Sequence, residues 1–586
     1  MRIQVVKFMR NNGLVKLRGD LYLFFGVVVI ITIYALGYNY NWLASDDGYY
    51  AHAAERFLNG DIPHKDFHEI HPGYVLWINA LAMKLFGNSL ASMRIPLIIF
   101  GILQAVLIYQ VLRNEHKAFA VTGMLLVTAM GMTAVPNPSA NLYALFFCVL
   151  ALRIAVIDGF HDRKILVIAL GICIGLCILS RHLSGVLLSI GMLVWLFSRA
   201  DIKVDLSNNQ KVSRLAQFIL LISVMGLFAY TIPRSDAVGK IAIIYPALLL
   251  VIYASFVARP ERKKSAFIIK WLTVGGLLSF FPLFLVLLWQ GSINEWLYDV
   301  FVLPLSLIKM QFISTGSYTV LFLSILTSIY DISKPVQAIQ YLAWLGLFVL
   351  PPIIVAISFQ YIKEINVNNK KNIIHPLVFV GPVYAVGAIH YEIAIYLFWS
   401  VPLAFLAFFT VYKHSAFLHK VIFVWLAVLI LGVLSSTFRH PFWETYPVDY
   451  VLNDNRLKSS RYYLGEKAKV YLPKDEAEFY ADSIAMIRSN VKNDETIFSF
   501  PTHPEWYFLT QRRNATKHLS SGVSVNSNEA LDELKITLTS TPPSIVIYKP
   551  NDKYNSKYML SLREWIGSRY SVIYVKNGFE FLAINR

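Results

Sequence analysis

The chain has 586 residues, of which 56% are hydrophobic and only 15% charged, and its mean hydropathy is +0.53. Soluble domains carry about 25% charged residues, so a wholly soluble chain is excluded. The net charge of +17 would suggest nucleic acid in a soluble protein. Here the basic residues fall in short loops between apolar runs, which membrane topology explains without any polyanion, and no nucleic-acid partner is expected.

Residues 1–20 carry Arg2, Lys7, Arg10, Lys16 and Arg18 and lack a small-residue cleavage site. They read as the cytoplasmic start of an uncleaved signal anchor. Apolar runs of about twenty residues, the length that crosses a bilayer, follow near 21–38, 94–112, 118–135, 140–157, 164–180, 183–199, 215–232, 240–258, 266–289, 338–362, 374–390, 393–412 and 418–437. Segments 74–87 and 318–330 are too short to cross and read as interfacial or re-entrant helices. Alternate loops hold the cations (Arg113 and Lys117; Arg163 and Lys164; Arg259, Arg262, Lys263 and Lys264), whereas the loop at Pro136-Asn137-Pro138 holds none. That alternation predicts about 13 membrane helices over 21–437, with the long loop 39–93 and the C-terminus on the side away from the cytoplasm. The expected home is the plasma or inner membrane.

From 438 to 586 charges become dense and no run is long enough to span. Thr496–Phe500 and Ser544–Tyr548 read as strands, 476–490 and 528–537 as helices, and 570–575 with 579–584 as a hairpin around Lys576-Asn577-Gly578. The expected architecture is a polytopic α-helical membrane protein with a small extracytoplasmic α/β domain. Cys148, Cys173 and Cys177 all fall inside apolar runs and read as small buried hydrophobes.

Four polar clusters map to one membrane face. Asp46 and Asp47 follow the first span, where ionisable groups need a partner or a wet cavity. They suit a base for a hydroxyl or a metal ligand, and equally a cap on a helix at 48–58. In the same loop, His68, Glu69 and His71 could hold a divalent metal or supply donors and a second carboxylate, although their spacing is no recognised metal signature. Arg94 and Arg181 either snorkel to headgroups or clamp a lipid phosphate. His390 and Tyr391 sit in a turn between two spans, as part of a site or simply as a connection.

The runs Asp46-Asp47-Gly48-Tyr49-Tyr50, Gly60-Asp61-Ile62-Pro63-His64-Lys65-Asp66-Phe67, His71-Pro72-Gly73, Leu85-Phe86-Gly87 and Arg94-Ile95-Pro96 resemble the bacterial protein-mannosyltransferase-like and aminoarabinose-transferase-like branch of the GT-C glycosyltransferases. Gly171 to Gly175 with Ser180-Arg181, and His390-Tyr391 with Pro402, are similar to later segments of that branch. The chain departs from its pattern in having Asp-Asp for Asp-Glu and Pro72-Gly73 for Pro-Pro. The resemblance implies an inverting transferase that moves a sugar from a polyprenyl-monophosphate carrier in the bilayer to an extracytoplasmic lipid, glycan or protein. In it Asp46 would be the base, Asp47 and Glu69 would position acceptor or metal, and Arg94, Arg181, His390 and Tyr391 would hold the donor phosphate. A lipid or sugar transporter, and a ligase using a diphosphate-linked donor, are the alternative readings.

Overall fold

The computed structural model describes residues 20–40, 42–131, 136–198, 211–307, 317–328, 335–367, 374–411, 418–437 and 461–585. The expected cytoplasmic start, apart from Asp20, and the expected domain boundary at 438 lie outside these residues.

Within the described residues each expected apolar run forms helix. Helices α1 (Leu21–Gly37), α2 (Ala44–Leu58), α3 (Tyr74–Phe86), α4 (Leu90–Leu112), α5 (Lys117–Met130), α6 (Ala140–Ala155), α7 (Lys164–Ser180) and α8 (His182–Ser198) make up the first part of the bundle. Among the described residues five helices are long and apolar enough to cross a membrane, including α4, Ala237–Val257 and Arg262–Gln290, and ten more apolar helices are shorter. The expected span at 393–412 is broken into Ala394–Ser400 and Pro402–Val411, with Pro402, which has no N–H to donate, at the start of the second piece. The region 293–307, which apolar periodicity leaves unassigned, is a run of short helical turns.

Small residues decide one crossing in the bundle. A Cβ added at Gly171 of α7 would strike the Leu272 carbonyl, and one at Gly175 would strike the Ser279 hydroxyl. Glycine therefore lets α7 lie directly on helix Arg262–Gln290, the close approach that small-xxx-small spacing permits in membranes.

The C-terminal region holds an antiparallel pair, β1 (Arg461–Leu464) and β2 (Val470–Pro473). A five-stranded sheet follows, from β3 (Thr496–Phe500), β4 (Arg513–Asn514), β5 (Ile545–Tyr548), β6 (Tyr570–Lys576) and β7 (Phe579–Ile584), in the order β4-β3-β5-β7-β6. Strands β3 and β5 are parallel and are joined through helix Asn528–Ser540, since parallel neighbours need a crossover. The expected strands, helices and hairpin are all present. The period of two divides the sheet. Phe498, Phe500, Val546 and Leu582 face a core under Asn528–Ser540 and Lys557–Gly567. Ile497, Ile545, Ile547 and Phe581 join the core that runs on into the bundle.

The two parts are sewn together by backbone as well as side chains. Leu90 N–H donates to the Lys467 carbonyl at 2.9 Å, Tyr471 N–H to Asn39 at 2.8 Å, and His68 N–H to Lys517 at 3.0 Å. Lys467 also reaches Glu55 at 2.7 Å.

Candidate active site

Helix α2 starts at Ala44, one turn earlier than the cap reading requires, so both aspartates stand inside its first turn. There they meet the unpaired N–H groups and the positive end of the helix dipole. Successive residues on a helix point in different directions, and the two carboxylates have different fates. Asp47 is turned inward, 1% exposed, and accepts the Leu43 N–H at 2.8 Å. Asp46 is half-buried.

The partner of Asp47 is Arg94, itself 0% exposed, with Nη2 3.6 Å from Asp47 Oδ2. Arg94 Nη1 donates to the carbonyls of Tyr38 at 2.9 Å and Tyr40 at 3.5 Å. Burial pushes the Asp47 carboxyl up to about 6, against the pull of Arg94. Arg94 is thus held inside the protein by a carboxylate and two carbonyls, and the structure does not bring it to the surface where a lipid phosphate could meet it.

Asp46 faces a mixed environment. Burial raises its carboxyl above the ordinary value, Lys553 and His71 oppose that rise, and Glu505 adds to it. Lys553 and Glu505 come from the C-terminal region and Tyr554 lies near the same carboxylate. Nothing in their local sequence marks them. Gly48 explains the close approach: a Cβ there would run into the backbone of Glu505, on the short helix Glu505–Thr510. Glycine in the Asp-Asp-Gly run thus seats the C-terminal region against the carboxylates.

That contact is braced by a histidine between two acids. His503 Nδ1 lies 3.0 Å from Glu505 Oε1 and Nε2 lies 2.8 Å from Asp552 Oδ2. Burial would lower the imidazole, but the two carboxylates win and raise it to about 9. Asp552 in turn accepts the Tyr554 N–H at 2.8 Å, which fixes the loop that carries Lys553.

The loop cluster separates into two units. Glu69 Oε1 accepts the His71 N–H at 2.9 Å and lies 2.6 Å from His71 Nδ1. His71 Nε2 is 3.2 Å from the Tyr50 hydroxyl. His68 instead pairs with Asp299 at 2.7 Å, and His64 reaches the other oxygen of Asp299 at 3.2 Å. Asp299, alone in an apolar run, was not a sequence candidate; burial would raise its carboxyl, but the two histidines hold it below the usual value, and it also accepts the Glu69 N–H at 3.0 Å. The expected trio His68, Glu69 and His71 is thus divided between these two units. The two histidines turn to different carboxylates, His68 to Asp299 and His71 to Glu69, and among the described residues no three such groups are placed to hold a metal.

Arg181 sits at the junction of α7 and α8. Its guanidinium lies 5.3 Å from the Tyr396 ring, and Nη1 donates to Ser184 at 3.2 Å. His390 is nearby, 3.2 Å from the Tyr230 hydroxyl and 4.2 Å, ring to ring, from Tyr391. Arg181 and Arg234 both lie within electrostatic reach of His390. Arg234 was not singled out from the sequence because it looks like any basic residue at a span end.

The acidic and basic ends are joined by tyrosines. Tyr50, Tyr391 and Tyr396 each lie within electrostatic reach of both Asp46 and Arg181. The structure thus gathers Asp46, Arg181, His390 and Tyr391 from three distant parts of the chain, with Glu69 behind His71. A half-buried carboxylate faces a cation across phenolic side chains, an arrangement suited to taking a proton at one end and holding an anion at the other.

Residues 70–230 match the family described as dolichyl-phosphate-mannose-protein mannosyltransferase. Over that stretch the chain is similar to members of that family. Among solved structures it is similar to ArnT from Cupriavidus metallidurans bound to undecaprenyl phosphate, at 12% identity and TM-score 0.39, covering 96% of this chain and 97% of that one. It is also similar to the Archaeoglobus fulgidus oligosaccharyltransferase tethered to an acceptor peptide, at 13% identity and TM-score 0.43, covering 97% and 74%. No curated protein matches the sequence.

Proposed function

We propose that the protein transfers a sugar from a polyprenyl-monophosphate carrier to a hydroxyl-bearing acceptor outside the cytoplasm, with Asp46 as the base. The observation that carries this reading is Arg181 placed 5.3 Å from the Tyr396 ring, with Tyr396, Tyr391 and Tyr50 each in electrostatic reach of both Arg181 and Asp46. A sugar phosphate already has a good leaving group, so its transfer needs a base for the acceptor and cations for the departing phosphate, and little else.

In the proposed step the acceptor oxygen bonds to the anomeric carbon while the carbon–oxygen bond to the phosphate breaks. The acceptor proton passes to Asp46, and the phosphate leaves with the bonding electrons. One displacement inverts the anomeric centre. Arg181, with Arg234 and His390 beside it, would receive the phosphate. Tyr391 would line the space between phosphate and base, and Glu69 would orient His71 against Asp46. Arg94 and Asp47 serve this reading as a positioning pair that fixes the first turn of α2. No metal is required by this scheme. The bundle would offer the polyprenyl chain an apolar surface, and the C-terminal region would form the acceptor side through Lys553 and Tyr554.

The test is Asp46→Asn in membranes supplied with labelled polyprenyl-phosphate sugars. Loss of a positioned base lowers transfer by about 10²–10⁴-fold. Transfer at the wild-type rate refutes the assignment. Arg181→Ala is expected to act chiefly on the donor KM.

A further inference from the structure

The turn that precedes α6 holds a cluster of polar groups that are unmet among the described residues. Asn137 and Ser139 are each 1% exposed and Asn141 is 8% exposed. Among the described residues, neither amide atom of Asn137, nor the Ser139 hydroxyl, nor Asn141 Oδ1 has a hydrogen-bond partner. Buried polar groups are almost always paired, and each exception calls for an explanation. Here four such atoms fall on three residues within five positions.

The surrounding groups are not orphaned, so the region is not loosely built. Ser139 N–H donates to the Asn137 carbonyl at 2.7 Å. Asn79 Nδ2 donates to the Pro138 carbonyl at 3.3 Å, and the Tyr143 hydroxyl donates to Asn79 Oδ1 at 2.8 Å. Pro136 and Pro138 flank Asn137 and bring no N–H of their own. The turn is also tied to the reaction centre. Ala140 N–H donates to the Tyr50 hydroxyl at 3.4 Å, the hydroxyl that meets His71, and both Tyr50 and His71 lie within reach of Asp46.

The orphaned set combines an amide donor, two carbonyl-type acceptors and a hydroxyl that can do either. It includes no cation, and its acceptor oxygens would repel a phosphate. A ring bearing neighbouring hydroxyls, each able to donate and accept, is the chemistry that satisfies all four atoms together. We infer that Asn137, Ser139 and Asn141 form a hydroxyl-recognising subsite for a sugar ring beside Asp46. This rests on the transferase reading above. The ring could be that of the donor or of a glycan acceptor, and the kinetic arms below separate the two.

The experiment uses the full-length protein in membranes, with a labelled polyprenyl-phosphate hexose, its deoxy analogues and a hydroxyl-bearing acceptor. Asn137→Ala and Asn141→Leu are expected to raise KM about 10–100-fold with little change in kcat, as loss of uniform binding does. The rise falls on the donor KM if the donor ring is bound here, and on the acceptor KM if the acceptor is. Preference for the native sugar over the matching deoxy analogue should fall in parallel, because a site built to bond a hydroxyl rejects the analogue without it. Ser139→Ala is the milder variant should the others fold poorly, and wild-type discrimination against deoxy sugars reads the same property with no substitution. If both KM values and the deoxy discrimination stay at wild-type levels, the turn holds only buried water and the subsite is refuted. If the wild type transfers no sugar from any carrier, the transferase reading fails and the subsite falls with it. An active wild type with indifferent variants refutes the subsite alone.

Discussion

Arg94→Met separates a structural cation from a ligand-binding one. In the structure Arg94 serves Asp47 and the Tyr38 and Tyr40 carbonyls, and methionine would replace its stem but none of its donors. The Asp47 carboxyl, ordinarily at 3.8, already sits near 6. Without Arg94 it would rise further and take up a proton at pH 7, which caps its total cost at about 4 kcal/mol relative to an ionised carboxylate in the unfolded chain. Most of that cost is already present in the wild type, so the substitution adds about 1–2 kcal/mol there. Each carbonyl left without a donor adds about 1 kcal/mol or more. A loss of about 3 kcal/mol follows, at the lower edge of the range for breaking a buried ion pair. The assay is thermal and urea unfolding in nanodiscs, with Asp47→Asn and the double variant completing a cycle. The double variant should recover part of the loss. The pH dependence has a definite sign. A carboxyl whose folded value is raised costs stability as pH rises from about 4 to about 6, so the Arg94→Met penalty should shrink as pH falls through 6. A variant of wild-type stability with a raised donor KM would refute this account and restore Arg94 to the phosphate.

The contact between the two parts of the chain yields three more expectations. Lys553→Met removes a cation that holds the Asp46 carboxyl down, so the acidic limb of the transfer–pH profile should move to higher pH; an unmoved limb would exclude electrostatic contact. His503 is raised to about 9, so its pairing with Glu505 and Asp552 stabilises fully below about pH 6.5 and fades as pH rises towards 9. The stability lost in His503→Gln, measured by unfolding midpoints, should therefore shrink across that window. Gly48→Ala places a Cβ against the Glu505 backbone, an overpacking cost of about 1–3 kcal/mol. Transfer should fall with it, and protease access to the 461–585 region should increase.

The broad architecture was legible in the sequence because its causes are local. Apolar runs of membrane length, cations in alternate loops and an alternating pattern in 496–584 each involve residues close in the chain, and the structure has helices or strands at those places. The break at Pro402 and the early start of α2 are local too, but they turn on single-residue geometry that hydropathy does not weigh. Clustering of Asp46, Arg181, His390 and Tyr391 on one face also followed from span order alone.

Which charge meets which was decided only by the tertiary structure. Asp46 and Asp47 are adjacent in sequence and alike in chemistry, yet one turn of helix sends Asp47 to Arg94 and Asp46 towards Lys553, His71 and Glu505. His68 and His71 stand three residues apart and pair with different carboxylates, one of them Asp299 more than two hundred residues away. Such pairings depend on packing between elements distant in the chain, of which Gly48 against Glu505 is the clearest case. A sequence shows that the charges exist, but the distances and desolvation that give each its partner arise only once the bundle and the C-terminal sheet close on one another.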